Sequence, residues 1–156
     1  MRFAGPVLVV RDIKASQKFY ETVLSQTVLF DFDGNLVFSS GFSLQAQNIW
    51  CAFVHSSDGE ILKCSKNFEL YFEEDDFDTF LKHLETFDSV TYVNTVTEYP
   101  WGQRVVRFYD PDYHIIEVGE SMIHVARKFA SQGLSLEEIA TRIQHPVEFV
   151  KAALEK

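Results

Sequence analysis

Glu117 stands in an otherwise apolar run, Ile115-Ile116-Glu117-Val118, and a carboxylate in that setting points to a short menu of chemistry. Buried alone it would cost on the order of several kcal/mol or be forced to take up a proton. It must therefore be ion-paired, hydrated in a cavity where it can move a proton, or bound to a cation. Arg104 and Arg107, in the strand-like run before it, are the cross-strand partners that the first option needs. A second carboxylate comes from Phe68–Glu73, where alternation puts Phe68, Leu70 and Phe72 on one face and Glu69, Tyr71 and Glu73 on the other. The apolar face is expected against helices and the polar face along a cup, where Glu69 and Glu117 could share a proton or hold a divalent ion. Trp101 and Arg104 flank the entry to the strand beside Glu117, as a lid and an anion clamp or, for Trp101, as turn packing. His114 has the opposite parity to Glu117 and is expected outside the cup. His55, His83, His124 and His145 have no spaced partner and carry no expectation.

The elements that position these residues are legible in outline. Val105, Val106 and Phe108 make one strand, Asp110-Pro111-Asp112 supply the turn, and Ile115, Ile116 and Val118 make the next. VLVVRDIKASQKFYETVL (7–24) and LYFEEDDFDTFLKHLETF (70–87) share a strand-then-helix plan, with Asp12 and Asp76 placed as helix caps. Ala15, Phe19, Tyr20 and Val23 form the apolar stripe of the first helix; Phe77, Phe80, Leu81 and Leu84 form that of the second. Three strand-like runs follow each helix: TVLFDF, NLVFSS and FSLQAQNI, then SVTYVNTV, QRVVRFYD and HIIEVGE. The expected fold is α+β, two βαβββ modules (about 1–55 and 67–120) forming a cupped mixed sheet, with His55–Asn67 as linker. From Ser121 to residue 156 the pattern is a helical appendage. Gly133 stops one helix, the capping box Ser135–Glu138 opens another, and Pro146 opens a third.

Composition narrows the partners. With 14 basic and 23 acidic residues the net charge is −9, which repels nucleic acid and anionic lipid. The tail has a helix-turn-helix look. Its charges are nearly balanced, however, and Pro146-Val147-Glu148-Phe149 offers no Arg, Asn or Gln to a base edge, so packing or dimer contacts are expected instead. Fifteen Phe, six Tyr and two Trp suit aromatic-lined pockets as well as bulky cores. Cys51 and Cys64 have no zinc-site spacing and are expected as free thiols. The apolar run at the N-terminus is too short for a signal peptide or a membrane span, and a cytoplasmic location is the expectation.

The runs VVRDIKASQKFYETVL, FELYFEEDDFDTFLKHL and above all FYDPDYHIIEVGE resemble the vicinal oxygen chelate superfamily, which includes glyoxalase I, bleomycin-resistance proteins and extradiol dioxygenases. The resemblance covers residues 1–120, with Tyr113 where that superfamily usually has Gly. It implies a cup, often shared between two chains, in which side chains from the first and last strands of the modules meet a metal. Carried over, those positions are Glu69, Glu117 and, on the last strand of module one, Gln45; Gly5 stands where a metal-binding His is common.

The resemblance thus implies one divalent metal (Ni, Mn, Zn, Fe or Mg), Glu69 or Glu117 as proton carrier, and a lyase or isomerase resembling lactoylglutathione lyase. Tyr71, Glu73, Trp101, Arg104 and Arg107 are the expected ligand contacts, and a homodimer the expected assembly. The alternative is a metal-free binding or sequestering protein whose acidic aromatic cup takes a small cationic or aromatic ligand. A third reading is an interaction module whose helical tail docks on a partner.

Overall fold

The computed structural model describes residues 1–155. Each half carries a β-α-β-β-β plan. The first has β1 (Val7–Val10), α1 (Ile13–Val23), β2 (Val28–Asp31), β3 (Asn35–Phe38) and β4 (Ser43–Ala46), in the sheet order β1-β4-β3-β2. After α2 (Gln47–Val54) and a 3-10 turn at Asp58–Glu60, the second has β5 (Glu69–Glu74), α3 (Phe77–Leu84), β6 (Thr91–Glu98), β7 (Arg104–Tyr109) and β8 (Ile115–Glu120). Its sheet order is the same, β5-β8-β7-β6. Helices α4 (Met122–Ser131), α5 (Leu136–Ile143) and α6 (Val147–Glu155) complete the chain. Among the described residues no helix is long and apolar enough to cross a membrane.

The chain divides into two compact units. Unit 1 comprises Met1–Glu69 with Ser89–Thr91 and Tyr109–Ile115; unit 2 comprises Leu70–Asp88, Tyr92–Phe108 and the chain from Ile116 onward.

In unit 1, β1 runs parallel to β4 and β4 antiparallel to β3. Asp12 caps α1 by accepting from the backbone N–H of Lys14 and Ala15, both at 3.0 Å. The helix buries Tyr20 and Val23 against Leu36, Phe38 and Leu44, with the Phe38 and Phe42 rings stacked at 4.5 Å. Ala15 of the expected stripe is exposed, and Ser16 is buried in its place, because its hydroxyl reaches Asp112 at 3.4 Å. The run FSLQAQNI is strand only to Ala46. Val10 is the last β1 partner and Asn35 the first of β3, so the ladder ends on both sides there; the backbone then closes on itself as α2.

The Asp-Pro-Asp turn belongs to unit 1 and is held by α1 and the residues before it. Asp110 Oδ1 accepts the N–H groups of Asp112 and His114, and Asp110 Oδ2 accepts the Tyr20 hydroxyl at 2.9 Å. Asp112 takes Arg11 Nε at 2.7 Å. Tyr113 has φ +68°, the left-handed region, which accounts for the Gly usual at this place.

In unit 2, Asp76 caps α3 through Thr79 N–H, and Phe77, Phe80 and Leu84 pack on the face carrying Leu70, Val106, Phe108, Ile116 and Val118. Helices α4–α6 share a core of Val125, Ala126, Phe129, Ile139, Ile143, Val150 and Ala153. The expected capping box opens α5, with Ser135 and Glu138 exchanging backbone-to-side-chain hydrogen bonds. The Phe129 ring fills the β6–β7 turn, where a Cβ on Gly102 would stand 2.3 Å from its Cζ.

Candidate functional site

The face of the unit 2 sheet opposite α3 carries a continuous chain of polar and aromatic side chains. Gly119 identifies that face: a Cβ built there would meet Gln103 Nε2 at 2.7 Å and the Tyr71 ring at 3.3 Å. By alternation Glu117 of β8, Arg107 of β7 and Tyr71 and Glu73 of β5 share it. Glu117 is buried and ion-paired with Arg107 Nη2. Arg107 Nη1 donates to the Tyr99 hydroxyl at 2.7 Å, and Tyr99 stacks on Trp101 with ring centroids 4.7 Å apart. Trp101 Nε1 donates to Gln103 Oε1 at 3.0 Å, Gln103 Nε2 donates to the Tyr71 hydroxyl at 2.8 Å, and that hydroxyl donates to Glu73 at 2.9 Å. Gln103 also donates to the Glu120 carbonyl at 2.8 Å, which locks its amide. Burial pushes the Tyr71 phenol up to about 12; the Glu73 and Glu117 carboxylates push the same way, and the Gln103 donor opposes them.

One end of this chain opens into a pocket of about 350 Å³. Tyr71, Glu73, Trp101 and Gln103 form its floor and wall, and Met122, Ile143, Gln144 and His145 come from the C-terminal helices. The volume suits a small molecule. Tyr71, Glu73 and Trp101 were expected at a ligand; Gln103, Gln144 and His145 were not, and nothing in their local sequence marks them.

The other expected residues have definite places. Arg104 lies on the opposite face of β7, over the Phe77 ring, with its guanidinium on Asp78 at 2.8 Å and Glu120 at 2.6 Å. Of the two arginines that could pair with Glu117, Arg107 is the partner. Glu69 opens β5, is exposed, and lines a pocket in unit 1 with Lys66, Asn67, Phe68 and Ile115. His114 bonds Asp110 through Nδ1 at 2.8 Å and edges a pocket of about 440 Å³ in unit 1 that includes Val7, Val9 and Trp50.

The donor set does not fit a resident metal ion. Both ends of the Gln45 amide are engaged, Nε2 on the Gly34 carbonyl at 2.9 Å and Oε1 with Asn35 at 3.1 Å. Glu117 already faces a guanidinium. Gly5 could not be a His without backbone movement, since a Cβ there would stand 1.8 Å from the Gly41 carbonyl oxygen. Among the described residues no group of three or more His, Cys, Asp and Glu side chains converges as a metal site.

Comparison with known proteins agrees with the fold. The glyoxalase-like domain matches residues 3–123, which includes both strand-helix modules and stops at the start of α4. A protein of unknown function from Agrobacterium tumefaciens str. C58 is 36% identical, superposes with a TM-score of 0.68, and covers 78% of this chain and 94% of its own. The lactoylglutathione lyase of Agrobacterium tumefaciens is 20% identical with a TM-score of 0.59 (78% and 95% covered), and the fosfomycin resistance protein FosX of Mesorhizobium loti 15% with 0.56 (77% and 92%). These last two share the fold. No curated protein matches the chain. On a match spanning most of its length, the chain belongs to the glyoxalase-like domain family, within the vicinal oxygen chelate superfamily that FYDPDYHIIEVGE resembles.

Proposed function

We propose that this protein binds a small aromatic cation in the unit 2 pocket and does so without a metal. One observation carries the reading: the side-chain donors on the sheet side of the pocket already serve protein acceptors. The Trp101 indole N–H, both Gln103 amide hydrogens and the Tyr71 hydroxyl hydrogen are engaged, so the sheet side of the pocket offers a ligand aromatic faces and the Glu73 carboxylate. Such a lining favours a planar, positively charged partner and disfavours an anion. Calorimetric titration with benzamidine, benzamide and benzoate tests it. Benzamidine is expected to bind with a dissociation constant on the order of a millimolar or tighter, ahead of the neutral and anionic analogues. Glu73→Gln should erase the preference; equal binding of benzoate would overturn the assignment.

The enzymatic reading places a divalent metal on Gln45, Glu69 and Glu117, with Glu69 or Glu117 moving a proton in a lyase-type reaction. It is supported by the family alone, and the engaged amide of Gln45 and the ion pair of Glu117 count against it. Metal analysis of purified protein, then a thermal-shift series with Ni, Mn, Zn and Mg, separates the two. Stoichiometric metal lost in Glu69→Gln or Glu117→Gln would favour the enzyme. Assembly as a homodimer belongs to the same proposal and is read by sedimentation.

A further inference from the structure

The pocket has a roof that the glyoxalase-like domain does not supply. The match to that domain ends at residue 123, whereas Ile143, Gln144 and His145 lie at the α5–α6 corner. The corner turns because Gln144 adopts the left-handed conformation, φ +58°, and its N–H and that of His145 both close on the Ala140 carbonyl. This is ordinary helix termination and requires only backbone. The imidazole of His145 is held by something else: Nδ1 lies 2.7 Å from the Ile143 carbonyl oxygen, and the ring packs on Phe149 with centroids 4.5 Å apart. A carbonyl can only accept, so Nδ1 carries the hydrogen, and in the neutral ring Nε2 is left as an acceptor. No second hydrogen bond of that ring is found among the described residues, and His145, half-buried, is one of the residues lining the pocket with Tyr71 and Glu73.

We infer that His145 is a specificity-determining residue of the unit 2 pocket, its Nε2 accepting an N–H of the ligand, so that the C-terminal helices select aromatic cations bearing N–H donors, such as amidines and guanidines. The inference rests on the pocket reading above and narrows it. Glu73 supplies negative charge without regard to how the cation is substituted. A lone-pair acceptor in the roof distinguishes an N–H cation from a quaternary one of similar size. The geometric fixing of Nδ1 is what makes the acceptor available before the ligand arrives.

The test compares benzamidine with N,N,N-trimethylanilinium, an aromatic cation without N–H groups, by calorimetry on the full chain. The parent protein should prefer benzamidine. His145→Phe keeps a ring on Phe149 and deletes the acceptor, and should lower the benzamidine to trimethylanilinium affinity ratio about tenfold, the effect of losing one charge-assisted hydrogen bond. His145→Gln, which retains an acceptor, should recover part of the ratio. If His145→Phe does not fold, His145→Ala provides the same comparison. An unchanged ratio, or an equal loss for both cations, would overturn the assignment while leaving the pocket reading intact. Failure of both cations to bind the parent protein would sink both.

Discussion

Gly119→Ala is the substitution that most directly interrogates the side-chain chain on the unit 2 sheet. The new Cβ would stand 2.7 Å from Gln103 Nε2 and 3.2 Å from its Cδ, where ordinary contact begins near 3.4 Å. Gln103 must therefore yield by about 0.7 Å. A free side-chain end would do so at little cost, but this amide is 5% exposed and tied to Trp101, Tyr71 and the Glu120 carbonyl. Overpacking of this kind costs about 1–3 kcal/mol, and weakening two amide hydrogen bonds adds about 1 kcal/mol for each one lost. With one such bond lost, the expected destabilisation is about 2–4 kcal/mol. With a urea slope near 2 kcal/mol/M, the midpoint should fall by about 1–2 M. Only Trp50 and Trp101 are present, so Trp101 fluorescence in a Trp50→Phe background reports on unit 2. The decisive step is a double-mutant cycle: with Gln103→Ala the obstacle is gone, and Gly119→Ala should then cost about 1–2 kcal/mol less. A cost below 0.5 kcal/mol in the parent, or the same cost with and without Gln103, would refute the reasoning.

Three further outcomes follow from contacts already described. Burial alone would raise the Glu120 carboxyl, but hydrogen bonds from the Arg104 side chain and backbone outweigh it, and it sits below its ordinary 4.5. Its stabilisation is therefore complete above about pH 4.5 and lost as pH falls through the folded-state value. Glu120→Gln should cost about 2 kcal/mol at pH 7, discounted because Arg104 is 28% exposed, with the difference from parent shrinking in acid denaturation curves. Tyr20→Phe removes the hydroxyl that donates to buried Asp110 and should cost about 1.5–3 kcal/mol by thermal unfolding; a shift under 1 °C would contradict the role assigned to that bond. Glu73→Gln should lower the Tyr71 phenol from about 12 toward its ordinary value of 10, seen as phenolate absorbance differenced against Tyr71→Phe, and a rise would reverse the sign given to Glu73.

Local signals explain which parts of this molecule can be read from its residues. Asp12, Asp76 and the Ser135–Glu138 box announce helix starts because a capping oxygen acts within three residues. The alternation around Glu69–Glu73 and the apolar run around Glu117 place strands and faces for the same reason. The short helix α2 is not legible: what ends β4 is the exhaustion of its two ladder partners, a fact about Val10 and Asn35 rather than about Gln47–Val54. Ser16 is buried through Asp112, 96 positions away, and no periodicity reports such a partner. The same holds for the site. Gln103 reaches Tyr71 across 32 positions, and His145 enters the pocket from a helix corner whose own sequence describes only how α5 stops.

The seating of Phe129 on Gly102 bears on how this protein could be recombined with its relatives. The tail is joined to the sheet domain by a single peptide crossing at Ser121, which suggests an easy cut. The aromatic ring, however, occupies the space that a side chain would need on the opposing turn. A tail transplanted without residues 99–103 would meet a bend shaped for a different plug, and that bend left uncovered would expose Trp101 and the opening beside it. The transferable piece is the hairpin bend together with its helices, a unit that is continuous in space and interrupted along the chain.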